Sequence, residues 1–197
     1  MLQVIMALAF MVSAFVQSSE AQTSDNAIFG NYAGAGLHRL YHIYPTSYID
    51  GGHICAGMDT TVGLGRDGWI AKIDENGKIQ WERSYGGVRN DYLKFVAICD
   101  DTSGKPTGYV ATGLTRSFSV DEIGKIWLIR VDLDGNELWS KSYDLPGEAS
   151  GVSCAYTGQG WIILGKYLKF PGSKIWITVM IEVDENGKLL NRKSWSR

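Results

Sequence analysis

The stretch DGWIAKIDENGKIQWERSYGG, residues 67 to 87, recurs as KIWLIRVDLDGNELWSKSYDL (125–145) and again as TVMIEVDENGKLLNRKSWS (178–196). Its anchors Asp74, Asp132 and Asp184 lie 58 and 52 residues apart. Three positions after each anchor comes a glycine, Gly77, Gly135 or Gly187. Ten positions after it comes Ser84, Ser142 or Ser194, followed in turn by Tyr85, Tyr143 or Trp195. A period near 50 residues marks a repeat architecture, in which each unit buries its faces against its neighbours.

Working outward, the upstream half of each unit repeats as well. GHICAG (52–57), GYVATG (108–113) and GWIILG (160–165) each hold two glycines five apart. Each unit then reads as four strands. The first is Tyr41–Tyr48, Tyr92–Cys99 or Ser150–Tyr156, and the second is the glycine-to-glycine segment. The third, Trp69–Asp74, Trp127–Asp132 or Val179–Asp184, shows the alternation of a strand. The fourth is Lys78–Tyr85, Glu137–Tyr143 or Lys188–Trp195. Asn76-Gly77, Asp134-Gly135 and Asn186-Gly187 join third to fourth and predict two-residue type I′ hairpin turns. Counting outward from such a turn sets Lys72 opposite Trp81 and Arg130 opposite Trp139. In the third unit both partners change together, to Glu182 opposite Asn191. The count predicts a cross-strand cation–π pair in the first two units.

A four-stranded unit of this length matches a propeller blade, with an antiparallel sandwich of three hairpin repeats as the alternative. The pattern D-x-W-x-x-K-x-D-x-x-G-x-x-x-W-x-x-x-Y-G-G, from Asp67 to Gly87, resembles the repeats of secreted bacterial and archaeal β-propeller proteins, of quinoprotein-like or WD40-like type. The resemblance covers roughly residues 27 to 197 and implies an all-β fold of about three four-stranded antiparallel blades. The units are approximately 37–87, 88–145 and 146–197. The third departs most, with Asn191 for Trp81 and Trp139, and Val179 for Trp69 and Trp127. AIFGNYAGAG (27–36) aligns with the fourth strand and predicts an extra N-terminal strand. Three blades are too few to close a ring, so the expectation is an open arc or part of a larger ring. Such an arc seeks a protein partner or a second copy to complete a propeller.

Composition fits this reading. Of 197 residues, 45% are hydrophobic and 20% charged, with a formal net charge of −2. That excludes a wholly disordered chain and argues against nucleic-acid binding, which favours a basic face. Twenty-four glycines against four prolines, with seven tryptophans, suit short strands joined by tight turns. Residues 4–16, VIMALAFMVSAFV, followed by Ser19-Glu20-Ala21, predict an export signal over residues 1–21 and a secreted or periplasmic protein. No later stretch is long and apolar enough to span a membrane as a helix. Cys55, Cys99 and Cys154 lie in apolar strand-like segments and read as small buried hydrophobes.

Function is barely written in the chain. There is no GxSxG elbow or HExxH motif, and no catalytic residue, metal ligand set or cofactor is assigned. The repeated tryptophans read as packing between blades, leaving Trp161 and Trp176 as ligand candidates. The loops outside the repeat carry Asp59, Arg66, Arg89, Asn90, Asp91, Arg116, Asp121, Glu122 and Glu148. In a propeller these loops share one end of the blades, where binding residues on a rigid scaffold tend to sit. The expectation is a non-catalytic binding or protein-interaction role. The alternatives are a fragment of a quinoprotein-like propeller enzyme and a carbohydrate-binding propeller lectin.

Overall fold

The computed structural model describes residues 38–60, 65–101 and 103–196. The predicted signal and extra N-terminal strand lie outside these residues. Every regular element among the described residues is a strand. The first sheet holds β1 (Arg39–Pro45), β2 (His53–Asp59), β3 (Asp67–Ile73) and β4 (Ile79–Tyr85). The second holds β5 (Tyr92–Asp100), β6 (Pro106–Thr115), β7 (Lys125–Val131) and β8 (Glu137–Tyr143). The third holds β9 (Ala149–Tyr156), β10 (Gly160–Leu168), β11 (Trp176–Asp184) and β12 (Leu189–Trp195). Each is antiparallel with its strands in chain order, so the three sequence units are three propeller-like blades that do not close into a barrel. The first strand of blade 1 ends earlier than predicted, because Thr46 turns the chain by donating its N–H to Gly52 O and accepting from Ile49 and Asp50.

The hairpin turns differ from the predicted type. Positive φ occurs at Gly77, Gly135 and Gly187 but not at the Asn or Asp before them. The anchor aspartate organises the loop instead. Asp74 Oδ1 accepts from the N–H groups of Asn76 (2.9 Å) and Lys78 (2.8 Å), while Gly77 N donates to Asp74 O (3.1 Å). Asp132 and Asp184 repeat these bonds. This is a type I turn closed by a left-handed glycine, which explains why the anchor must be Asp. A bulge then absorbs one residue, since Ile73 pairs with Ile79 but Lys72 pairs with Trp81. The register beyond the bulge is therefore as counted, including Arg130 opposite Trp139 and Glu182 opposite Asn191.

The expected cation–π pairs are not what this register produces. Lys72 is buried, and its Nζ meets Asp50 Oδ2 at 2.6 Å and Ile73 O at 2.9 Å. Burial works against ionised Asp50, but Lys72, Thr46 Oγ1 and the Gly52 N–H hold its carboxyl below the usual range. Arg130 likewise turns to Val131 O (2.6 Å) and Thr107 Oγ1 (2.6 Å). Both cations bend toward oxygen acceptors, a carboxylate and a carbonyl for buried Lys72, carbonyls and a hydroxyl for half-buried Arg130, which satisfy a charge better than an aromatic face.

The tryptophans turn the other way, onto the next blade. Trp81 donates Nε1–H to Leu133 O (2.9 Å), and Tyr85 donates its hydroxyl to Gly135 O (2.6 Å). The Trp81 ring lies so close to Gly135 that a Cβ there would sit 2.7 Å from it. Trp139 packs on Gly187 in the same way, and Tyr143 donates to Gly187 O at 2.8 Å. The fourth strand of one blade thus grips the hairpin of the next. Tyr143→Phe strands a buried carbonyl and should cost about 1–2 kcal/mol. An unchanged denaturant midpoint for that variant would show that the grip is incidental.

The core lies between blades. One face of blade 1 (Ile54, Ala56, Ile70, Tyr85) packs on Leu93, Val96, Tyr109, Ala111, Trp127 and Ile129 of blade 2. The forward face of blade 2 (Val110, Ile126, Leu128, Tyr143) packs on Cys154, Trp161, Ile163, Val179 and Ile181 of blade 3. Each blade therefore offers a forward face to its successor and a backward face to its predecessor. All three cysteines are buried and free, and burial pushes the Cys99 thiol up to about 12.

Candidate functional site

Three places in the fold gather chemistry. The first is the loop end that the sequence singled out. The β4–β5, β6–β7 and β8–β9 connections meet there and wire themselves together. Asp91, fully buried, accepts Gly87 N (3.0 Å), Thr115 Oγ1 (2.6 Å), Arg116 N (2.9 Å), Ser117 N (3.2 Å) and Ser117 Oγ (2.5 Å). Asn90 Oδ1 accepts from Arg66 N (3.1 Å), whose carbonyl takes the Asp91 N–H. Arg89 reaches Ser119 O and Glu122 Oε1 (both 2.8 Å). Arg116 bonds Glu122 O (3.0 Å) and Glu148 Oε2 (2.5 Å). Asp121 accepts from Ser119 Oγ and the Ile123 N–H. Most of the loop candidates named from the sequence thus spend their polar groups on partners within these same loops.

Asp59 and Asp67 lie beside this network. Ser84 Oγ donates to Asp59 Oδ2 at 2.8 Å, and His38 Nδ1 lies 3.7 Å from Asp59 Oδ1. Asp67 Oδ1 is buried without a hydrogen-bond partner. Burial, reinforced by Asp91 and then Asp59, pushes the Asp67 carboxyl up to about 6. Because its folded pKa exceeds its unfolded one, the fold takes up a proton there and loses stability as pH rises through about 6. Asp67→Asn should therefore stabilise the fold above neutral pH, by an amount on the order of 1 kcal/mol. The gain should shrink as pH falls below about 6 and vanish only below about pH 3, where both states are protonated. A gain independent of pH would mean that ionisation of Asp67 carries no penalty. Among the described residues, no group of three His, Cys, Asp or Glu side chains is placed to hold a metal ion.

The second place is a cleft of about 350 Å³ at the opposite end, between blades 2 and 3. Cys99, Asp100, Thr107, Arg130, Trp161 and Glu185 line it, with the Tyr156 ring tilted against Trp161 at 4.8 Å between centroids. Trp161, a predicted ligand residue, is 4% exposed and belongs mainly to the core between the blades. Its position in the repeat is that of buried Tyr109, so sequence alone could not separate wall from core. Asp100 accepts from Tyr48 Oη and Glu185 from Tyr156 Oη.

The third place is the forward face of blade 3. Across it run Ile162 paired with Glu182, Leu164 with Met180, and Lys166 with Thr178. Asn191, Lys193 and Trp195 extend these rows on β12. In blade 2 the matching residues Val110, Thr112, Leu114, Ile126 and Leu128 are all buried by the next blade. Here Leu164 is 47%, Trp176 46% and Trp195 51% exposed. Lys166 Nζ lies 4.6 Å from the centre of the Trp176 ring. Trp176 is thus the surface residue that the sequence suggested, and Trp195 the one that sequence reasoning missed. Its repeat position belongs to tyrosines that grip a following blade, and among the described residues no blade packs on it.

No protein-family model matches the chain, and no curated protein matches it either.

Proposed function

We propose that this chain is a secreted, non-catalytic binding protein of the β-propeller-repeat type, acting by protein–protein docking through the forward face of blade 3. The observation that carries this is the contrast between like faces: buried in blades 1 and 2, open in blade 3. A half-apolar sheet face with two exposed tryptophans has the composition of an interface core. At the other end of the arc the backward face of blade 1, with Cys55, Trp69 and Ala71, is buried. A head-to-tail ring would need that face, so the open face serves its own kind better. Lys166 and Glu182 stand two residues to either side of the Leu164–Met180 row. A two-fold axis along that row brings Lys166 of one copy beside Glu182 of the other, the self-complementarity that an isologous dimer requires.

Sedimentation velocity over a wide concentration range tests this. The expected result is a concentration-dependent dimer that Leu164→Asp abolishes. Lys166→Glu and Glu182→Lys should each weaken it, and the double charge swap should restore it. A wild-type chain that stays monomeric at millimolar concentration, or a charge swap without rescue, would refute the docking mode.

A further inference from the structure

The repeat exposes a vacancy of charge at the cleft between blades 2 and 3. In blade 1 the buried cation Lys72 is held by the carbonyl of the next residue and by the Asp50 carboxylate. Its equivalent in blade 2, Arg130, keeps the first arrangement, with Nη1 donating to Val131 O at 2.6 Å. The second has no counterpart. Asp50 stands two residues before Gly52, and the residue two before the matching Gly108 is Pro106. Arg130 bonds only neutral oxygens, those of Val131, Tyr109 and Thr107, and forms no ion pair among the described residues. A guanidinium has five N–H donors, so about two are left over, the number a carboxylate takes in a bidentate pair.

We propose that this cleft is a binding site for a small zwitterion, of which a free α-amino acid with an aromatic or apolar side chain is the simplest example. The ligand carboxylate takes at Arg130 the role that Asp50 plays at Lys72. A bare anion does not fit, because Asp100, Asp101 and Glu185 border the same cleft. Asp101 is committed to its own turn, accepting from Ser103 N, Ser103 Oγ and Lys105 N. Asp100 and Glu185 each hold only a tyrosine hydroxyl and keep acceptor capacity for an ammonium group. Tyr156, with Trp161 behind it, supplies the apolar wall. The cleft's volume of about 350 Å³ exceeds what one amino acid fills, which leaves room for water or a second residue.

Calorimetric titration of the purified chain with L-phenylalanine tests the proposal, alongside its amide, its N-acetyl derivative and the dipeptide Phe-Phe. The amino acid should bind, and each singly charged analogue should bind at least about tenfold more weakly. Binding of the dipeptide in preference to the amino acid would assign the site to peptides, the same chemistry from another source. Arg130→Gln should weaken binding about tenfold or more without unfolding the chain. Pro106→Asp should also block the site, by supplying the internal carboxylate that blade 1 possesses. Equal binding of the amide and the amino acid, binding unchanged in Arg130→Gln, or no heat with any zwitterion would overturn the proposal. The site is independent of the docking face, and dimerisation should persist in Arg130→Gln.

Discussion

Trp127→Ala should destabilise the fold by about 3–5 kcal/mol, the largest effect expected of any single truncation in this chain. Trp127 is 0% exposed and sits where blades 1 and 2 meet. Its ring fills the space over Gly68 so tightly that a Cβ on that glycine would lie 2.6 Å from it. Its Nε1 donates to Ser140 Oγ at 2.7 Å, so truncation removes both the packing and a half-buried hydrogen bond. The strands around it are cross-linked by their own ladders and cannot collapse into the hole, which is when a cavity costs most. Trp127→Phe keeps much of the ring and should cost less. Trp176→Ala, on the open face, should change stability by no more than about 0.5 kcal/mol. Equal losses for the buried and the exposed tryptophan in chemical denaturation would contradict this account of the core.

Asp91→Ala should cost about 3–4 kcal/mol, lowering the melting temperature by roughly 10 °C. One buried carboxylate satisfies three backbone N–H groups and two hydroxyls drawn from the β4–β5 and β6–β7 loops. Removing it takes the acceptor from these donors, and each buried orphan costs about 1–3 kcal/mol before relaxation. Asp91→Asn retains the shape but has a single acceptor oxygen, and should fall between wild type and alanine. The loss should appear as earlier hydrogen exchange at Gly87, Arg116 and Ser117, with the ladders of blade 3 unaffected. Asp121 lies on the same end and is exposed, so Asp121→Ala should be nearly silent. A neutral Asp91→Ala would mean that the loops hold together without their hub.

Asp91 also shows why the loop end was legible only as a location. At the matching place before blade 3 stands Ala149, whose N–H donates to Gly124 O as Asp91 N–H does to Arg66 O. The backbone arrangement repeats while the side chain does not. There the Arg116–Glu148 pair ties the loops instead. Which loop residues pair with one another depends on side chains tens of residues apart, and no spacing rule carries that information.

What the sequence determined by itself was local and periodic. The Asp-x-x-Gly anchors, the glycine pairs and the alternating strands specified three four-stranded antiparallel units, because hairpin geometry and strand period depend on neighbours in the chain. Even the mistaken turn type left Lys72 opposite Trp81, since the bulge restored the count. Tertiary structure alone decided where those two side chains went. Burial sent Lys72 to Asp50 and Ile73 O, and the next blade drew Trp81 onto Leu133 O and Gly135. It decided, too, that Trp161 is wall and core while Trp195 is surface. Identical repeat positions differ in exposure according to whether another blade follows, and that is a property of the assembly of units rather than of any one of them.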